Sequence, residues 1–70
     1  MKNTIRVERA VLDITQEELA KRVNVSRQTI NTIEAGKYVP STVIALKIAR
    51  TFSKTVDEIF ALEESDWKKR

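Results

Sequence analysis

The stretch Thr15-Gln16-Glu17-Glu18-Leu19-Ala20-Lys21-Arg22-Val23-Asn24-Val25-Ser26-Arg27-Gln28-Thr29-Ile30-Asn31-Thr32-Ile33-Glu34-Ala35-Gly36 holds two helices and the turn between them, and the architecture follows from it. Thr15 with Glu18 three residues on makes a capping box, and Leu19, Ala20 and Val23 form the apolar stripe behind it. Ser26 is a good N-cap for a helix from Arg27 to Ala35, and Gly36 supplies the left-handed residue that ends it. Only Asn24-Val25-Ser26 joins the two helices. That is too short for antiparallel side-by-side packing and predicts a steep crossing, with Val25 plugging the space beneath the turn.

The helix after Ser26 divides into two faces. Ile30, Ile33 and Glu34 share one side; Arg27, Gln28, Asn31 and Thr32 share the other. A solvated helix usually shows Glu and Lys outward. Here the outward side chains are those that pair with base edges: arginine with guanine O6 and N7, glutamine or asparagine with adenine N6 and N7, and a threonine methyl with the thymine methyl. The plainer alternative is an ordinary polar surface.

Working outward, a first helix spans about Thr4 to Leu12, with Asn3 as N-cap and Ile5, Arg9 and Leu12 at helical spacing. Ser41 after Pro40 caps a fourth helix, with Val43, Leu46, Ala49 and Phe52 read as facing inward and Lys47, Arg50 and Lys54 on a solvated outer side. Thr55 with Glu58 repeats the capping box before a fifth helix carrying Val56, Ile59 and Phe60. The expected fold is therefore all-α, five helices and no convincing strand. Three helix ends lack glycine, at Asp13, Asn24 and Ser53; Asp and Asn tolerate positive φ, whereas Ser53 makes the turn between the fourth and fifth helices the least secure boundary.

Composition narrows the chemistry. A 70-residue chain that is 41% apolar and 33% charged makes one small globular domain. With no cysteine and no histidine, disulfides, the commonest zinc sites and the Ser-His or Cys-His nucleophile systems are excluded, and a single glycine rules out a glycine-rich phosphate loop. No catalytic residue, metal or cofactor is expected, and no ligand pocket can be read. No apolar run reaches the roughly 20 residues of a membrane span, and the N-terminus lacks a signal-peptide pattern, so a cytoplasmic protein is expected. Residues 1–56 carry ten Lys or Arg against five Asp or Glu, whereas residues 57–70 carry three against five. The basic excess thus coincides with the patterned body and suits a nucleic-acid surface, although charge alone would equally serve solubility.

The strings Thr15-Gln16-Glu17-Glu18-Leu19-Ala20, Val25-Ser26-Arg27-Gln28-Thr29-Ile30 and Glu34-Ala35-Gly36-Lys37-Tyr38 with Pro40 resemble the phage repressor and Cro-like (Xre) helix-turn-helix family over about residues 3–62. The chain is similar to its short single-domain regulators of the cytolysin-operon repressor type. The resemblance implies a regulator that binds a double-stranded DNA operator. It places Gln16 on a DNA phosphate and against the recognition helix, Arg27 and Gln28 on bases with Thr32 secondary, Thr29 and Asn31 on the flanking backbone, and Lys37 and Tyr38 in a phosphate-touching loop. Tyr38 is also open to a packing role against Pro40. Arg9 and Glu34 match an ion pair between the first and third helices. Glu8 stands where many relatives have an apolar residue.

Residues 1–62 are read as the DNA-binding domain and 63–70 as a charged tail. Leu62 and Trp67 are apolar residues in this stretch. The tail either frays or packs back through Trp67, on the body or across a dimer; in similar regulators it can pair with the N-terminus as a small strand. A homodimer is expected from half-site logic; the resemblance places its interface on the last helix, at Val56, Phe60 and Leu62, residues that could equally fill the monomer core, and Trp67 is an aromatic anchor open to the same interface. The expected function is a repressor acting at a pseudo-palindromic operator. The competing one is an antitoxin or adaptor that uses the same fold to bind protein.

Overall fold

The computed structural model describes residues 1–68 of the chain. Helix α1 spans Ile5–Leu12, α2 Gln16–Val23, α3 Arg27–Glu34, α4 Thr42–Thr51 and α5 Val56–Ile59. Two-residue strands, β1 at Lys2–Asn3 and β2 at Phe60–Ala61, pair antiparallel with Lys2 opposite Ala61 and Asn3 opposite Phe60. A short 3-10 turn follows at Glu64–Trp67. All five expected helices are present, and a strand pair of the kind the resemblance allows joins the N-terminus to the chain just after α5. Two residues per strand are too few to show an alternating pattern, so only the approach of the chain ends creates them.

Starts and stops of the helices are local. The Thr15 hydroxyl accepts from Glu18 N–H at 3.0 Å while Glu18 accepts from Thr15 N–H at 3.1 Å. Ser26 and Ser41 cap α3 and α4 in the same way, at 3.1 and 3.3 Å. Asn3 acts one position early: Thr4 is the cap residue, without a side-chain bond, and Asn3 Oδ1 instead accepts from Ile5 N–H at 3.1 Å. At their C-terminal ends α1 to α4 share one device. The residues Asp13, Asn24, Gly36 and Ser53 all have φ between 55° and 76°. Each is followed by a paired reversal of hydrogen bonds, as in Gly36 N–H to Ile33 O and Lys37 N–H to Thr32 O, both 3.0 Å. These are Schellman endings, and only one of the four uses glycine. The turn at Ser53 is thus a full member of the set.

The core is one cluster: Ile5, Ile14, Leu19, Ala20, Val23, Ile30, Ile33, Ala45, Ile48, Ala49, Phe52, Ile59 and Phe60. Val25 packs partly buried against it, beneath the α2–α3 turn. The phase of α4 needs correcting. Ala49 and Phe52 are buried as read, but Val43 and Leu46 are 60% and 55% exposed, and Ala45 and Ile48 take the inward places. A strict three-residue row drifts by about 60° per step around a 3.6-residue helix, so after three steps Val43 lies opposite Phe52. The fifth helix is also shorter than expected, ending at Ile59 so that Phe60 enters the strand. Glu8, charged where an apolar residue is common, is answered by Lys54 at 2.9 Å, which ties α1 to the α4–α5 turn.

The tail does not pack on its own body through its aromatic. Trp67 is 75% exposed. Instead the Met1 α-amino group holds the segment, 3.1 Å from Glu63 and 3.0 Å from Asp66. Of the expected tail, Lys69 and Arg70 lie outside the described residues.

Candidate nucleic-acid interface

Ser26 sets the start of α3, and with it the direction in which Arg27 and Gln28 leave the body. Both are exposed. Neither side chain makes a hydrogen bond or ion pair among the described residues, so both are available to a ligand. The Ser26 and Thr29 hydroxyls lie 2.8 Å apart, which engages Thr29 with the helix cap. The Thr32 hydroxyl donates back to Gln28 O and Thr29 O, at 3.1 and 3.0 Å. Its polar proton is spent inside the helix, leaving the methyl as the chemistry it can offer outward.

Behind this face lies a polar network linking three helices. Arg9 Nε donates to Glu34 Oε2 at 2.6 Å and a terminal nitrogen donates to Oε1 at 3.1 Å, a bidentate pair. The Glu34 side chain is only 3% exposed and that of Arg9 16%. Arg9 also donates to Ile14 O at 3.1 Å. Gln16 completes the network: its amide nitrogen donates to Glu34 Oε1 at 3.2 Å and to Asn31 Oδ1 at 3.4 Å. The first residue of α2 is thereby bound to both Glu34 and Asn31 of α3.

The structure therefore brings Gln16, Asn31, Glu34 and Arg9 into one connected set, with Arg27 and Gln28 projecting free. Lys37 and Tyr38 sit in the loop after Gly36, where the Lys37 backbone bond to Thr32 O holds the loop against the end of α3. Tyr38 is 47% exposed. A further participant is Asn3, whose amide nitrogen donates to Ile33 O at 2.9 Å and ties the N-terminus to the last turn of α3. Sequence reasoning placed Asn3 at the start of α1; nothing local signals a partner thirty residues away.

The interface residues proposed for a second copy are divided. Phe60 is 5% exposed and part of the core, so it has almost no surface to offer a partner. Val56 is partly buried against that core, whereas Leu62 and Trp67 are exposed.

A helix packed against a second one across a three-residue turn, with free arginine and glutamine at its start, defines a DNA-binding helix-turn-helix protein. A helix-turn-helix family model matches residues 5–59. The chain belongs to that Xre/Cro-like family of transcriptional regulators. It is 49% identical over 71 aligned positions, covering both chains in full, to an uncharacterized HTH-type transcriptional regulator of Archaeoglobus fulgidus. It is 46% identical over 66 positions to the HTH-type regulator YgzD of Bacillus subtilis, covering 94% of this chain and all of that one. The HTH-type transcriptional activator BcrR of Enterococcus faecalis is 40% identical over 52 positions, covering 74% of this chain and 26% of BcrR. In three dimensions the chain is similar to the clp gene regulator ClgR of Corynebacterium glutamicum, with a TM-score of 0.71 at 24% identity over 77% of this chain and 57% of ClgR. That likeness shows the fold. Among the described residues, no helix is long and apolar enough to cross a membrane.

Proposed function

We propose that the protein is a sequence-specific repressor that binds a pseudo-palindromic operator as a homodimer, with α3 in the major groove. The observation that carries this reading is the state of Arg27 and Gln28. Both stand exposed at the start of α3 and unengaged by their own chain, on a helix clamped from behind by the Arg9–Glu34–Gln16 network. Side chains with bidentate base-pairing geometry on a rigid support are what direct readout requires.

The hydrogen bonds support a division of labour. Arg27 and Gln28 read bases, and Thr32 contributes its methyl. Gln16 already donates its amide hydrogens to Glu34 and Asn31, so the free backbone N–H groups of the first turn of α2 are the better phosphate donors there, with Gln16 bracing α3. Lys37 supplies a phosphate contact from the loop. Thr29 and Asn31 lie beside these positions and touch the flanking backbone.

The dimer is supported by size. The body measures 36 × 22 × 19 Å, so two copies side by side place equivalent points within reach of one helical turn of DNA, about 34 Å. Repression follows from occlusion of a promoter by such a dimer. The test is selection of binding sites from a random DNA pool, followed by titration of the recovered site against random DNA at physiological salt. A pseudo-palindrome bound at least about 1,000-fold more tightly is expected. Equal affinity for both would end the reading.

A further inference from the structure

The first three residues run between two places that the helix-turn-helix alone does not connect. At one end the Met1 α-amino group lies 3.0 Å from Asp66 and 3.1 Å from Glu63. The acidic turn that receives it is closed on itself, because the Glu63 N–H donates to Asp66 Oδ2 at 2.8 Å. At the other end is the last turn of α3. Asn3 Nδ2 donates to Ile33 O at 2.9 Å, the same carbonyl that accepts from the Gly36 N–H at 3.0 Å. The Met1 carbonyl oxygen lies 3.9 Å from where a Cβ on Gly36 would stand. The N-terminal backbone therefore runs alongside the residue that opens the loop of Lys37 and Tyr38. Gly36 has no side chain with which to anchor that loop by packing.

We propose that the Met1 α-amino group and Asn3 are positioning groups for DNA binding. Together they hold residues 1–3 as a strap against Ile33 and Gly36, and the strap steadies the loop from which Lys37 reaches phosphate. The ammonium acts through its charge, since charge-assisted hydrogen bonds to carboxylates are about twice as strong as neutral ones. An acyl group on this nitrogen would abolish the charge and both ion pairs. The strap would then be held only by Asn3, the partly buried Met1 side chain and the two-residue strand pair.

This inference rests on the reading of Lys37 as a phosphate contact and adds the support behind it. It also gives Glu63 and Asp66 a part in binding a polyanion that their own charge opposes. Acting only through the long-range field, they would weaken DNA binding. Acting through the strap, they strengthen it.

The test joins two measurements on the full chain: amide hydrogen exchange, and DNA titration at several salt concentrations. One sample carries an N-acetylated terminus by chemical synthesis; another combines Glu63→Gln with Asp66→Asn. A third, Asn3→Asp, keeps the acceptor for the Ile5 N–H but loses the donor to Ile33 O. Each is expected to exchange about tenfold faster than the parent at the Gly36 and Lys37 amides, while the buried helices keep their protection. Each should bind the selected operator and random DNA alike about threefold to tenfold more weakly, because a phosphate contact carries no sequence information. In a Lys37→Ala background the Glu63 and Asp66 changes should no longer weaken binding, since the contact they support is gone. Unchanged exchange at Gly36 and Lys37, or tighter DNA binding by the Glu63 and Asp66 variant, would overturn the inference. A parent chain that binds every sequence equally would end the operator reading, while the same losses on random DNA would still uphold the strap.

Discussion

At the scale of single residues, the most consequential contact is the bidentate bond between Arg9 and Glu34. A carboxylate only 3% exposed depends on its hydrogen-bonding partners to offset the cost of its burial. Arg9→Ala leaves Glu34 with the Gln16 amide alone, and the expected loss is about 3 kcal/mol. Urea unfolding measures this directly. A loss below about 1 kcal/mol would mean that water replaces the guanidinium without penalty. The roles proposed for Arg27 and Lys37 are separable by another route. Arg27→Ala should relax specificity at one base position, at a cost of about 1–3 kcal/mol, whereas Lys37→Ala should weaken all sequences alike and flatten the salt dependence. Binding titrations against single-base variants of the operator, at several salt concentrations, distinguish the two. At this scale the outward placement of Arg27 and Gln28 was legible in sequence, because the spacing of Ile30 and Ile33 turns the opposite face of the helix to the surface. The loss of the Thr32 proton to its own helix was not, since it depends on a rotamer.

At the scale of elements, helix ends repeat one solution with different residues. Asp13, Asn24 and Ser53 hold left-handed backbones, φ 55°, 60° and 55°, where Gly36 has 76°. Serine lacks the local hydrogen-bonding habit that eases Asp and Asn into this region. Ser53→Gly relieves a backbone cost of about 1–2 kcal/mol against an entropic loss of about 0.5–1 kcal/mol. The net gain should be about 0.5–1 kcal/mol, a rise of several degrees in Tm for a domain of this size. Asn24→Gly should gain less. Thermal melts of the two variants side by side provide the check, and a Ser53→Gly protein melting below its parent would contradict the account. The capping boxes were plain in the sequence because each closes within three residues. The inward face of α4 was misjudged because a three-residue row and a 3.6-residue turn separate over three turns, and nothing local says which apolar residue faces the core.

At the scale of the whole molecule, the Met1 amino group is joined by charge to the segment that holds Glu63 and Asp66. The Met1 α-amino group is held above its ordinary value of 8.0, chiefly by its bond to Asp66 and then by that to Glu63. Asp66 is held below its ordinary 3.8, first by the Glu63 backbone N–H and then by the same amino group. The signs fix the window. The raised amino group contributes fully below pH 8.0 and its contribution is lost as pH rises through the raised value. The lowered carboxyl contributes above pH 3.8 and is lost as pH falls through the lowered value. Trp67, the single tryptophan, sits at the end of this segment and reports on it. Its fluorescence anisotropy should hold at neutral pH and drop in alkaline solution, while far-ultraviolet circular dichroism persists. A drop coinciding with global unfolding would show that the ends are not separately held.

The helix-turn-helix, its caps and the exposed Arg27 and Gln28 at the head of α3 were determined by the sequence alone. Each depends on spacings of three or four residues, over which backbone geometry leaves few choices. Only the tertiary structure decided the rest: the strand pair that joins Asn3 to Phe60, the hold of Asn3 on Ile33, the burial of Phe60 and the exposure of Leu46. These rest on contacts between distant parts of the chain, where the partner is chosen by packing and charge across space rather than by neighbours in sequence.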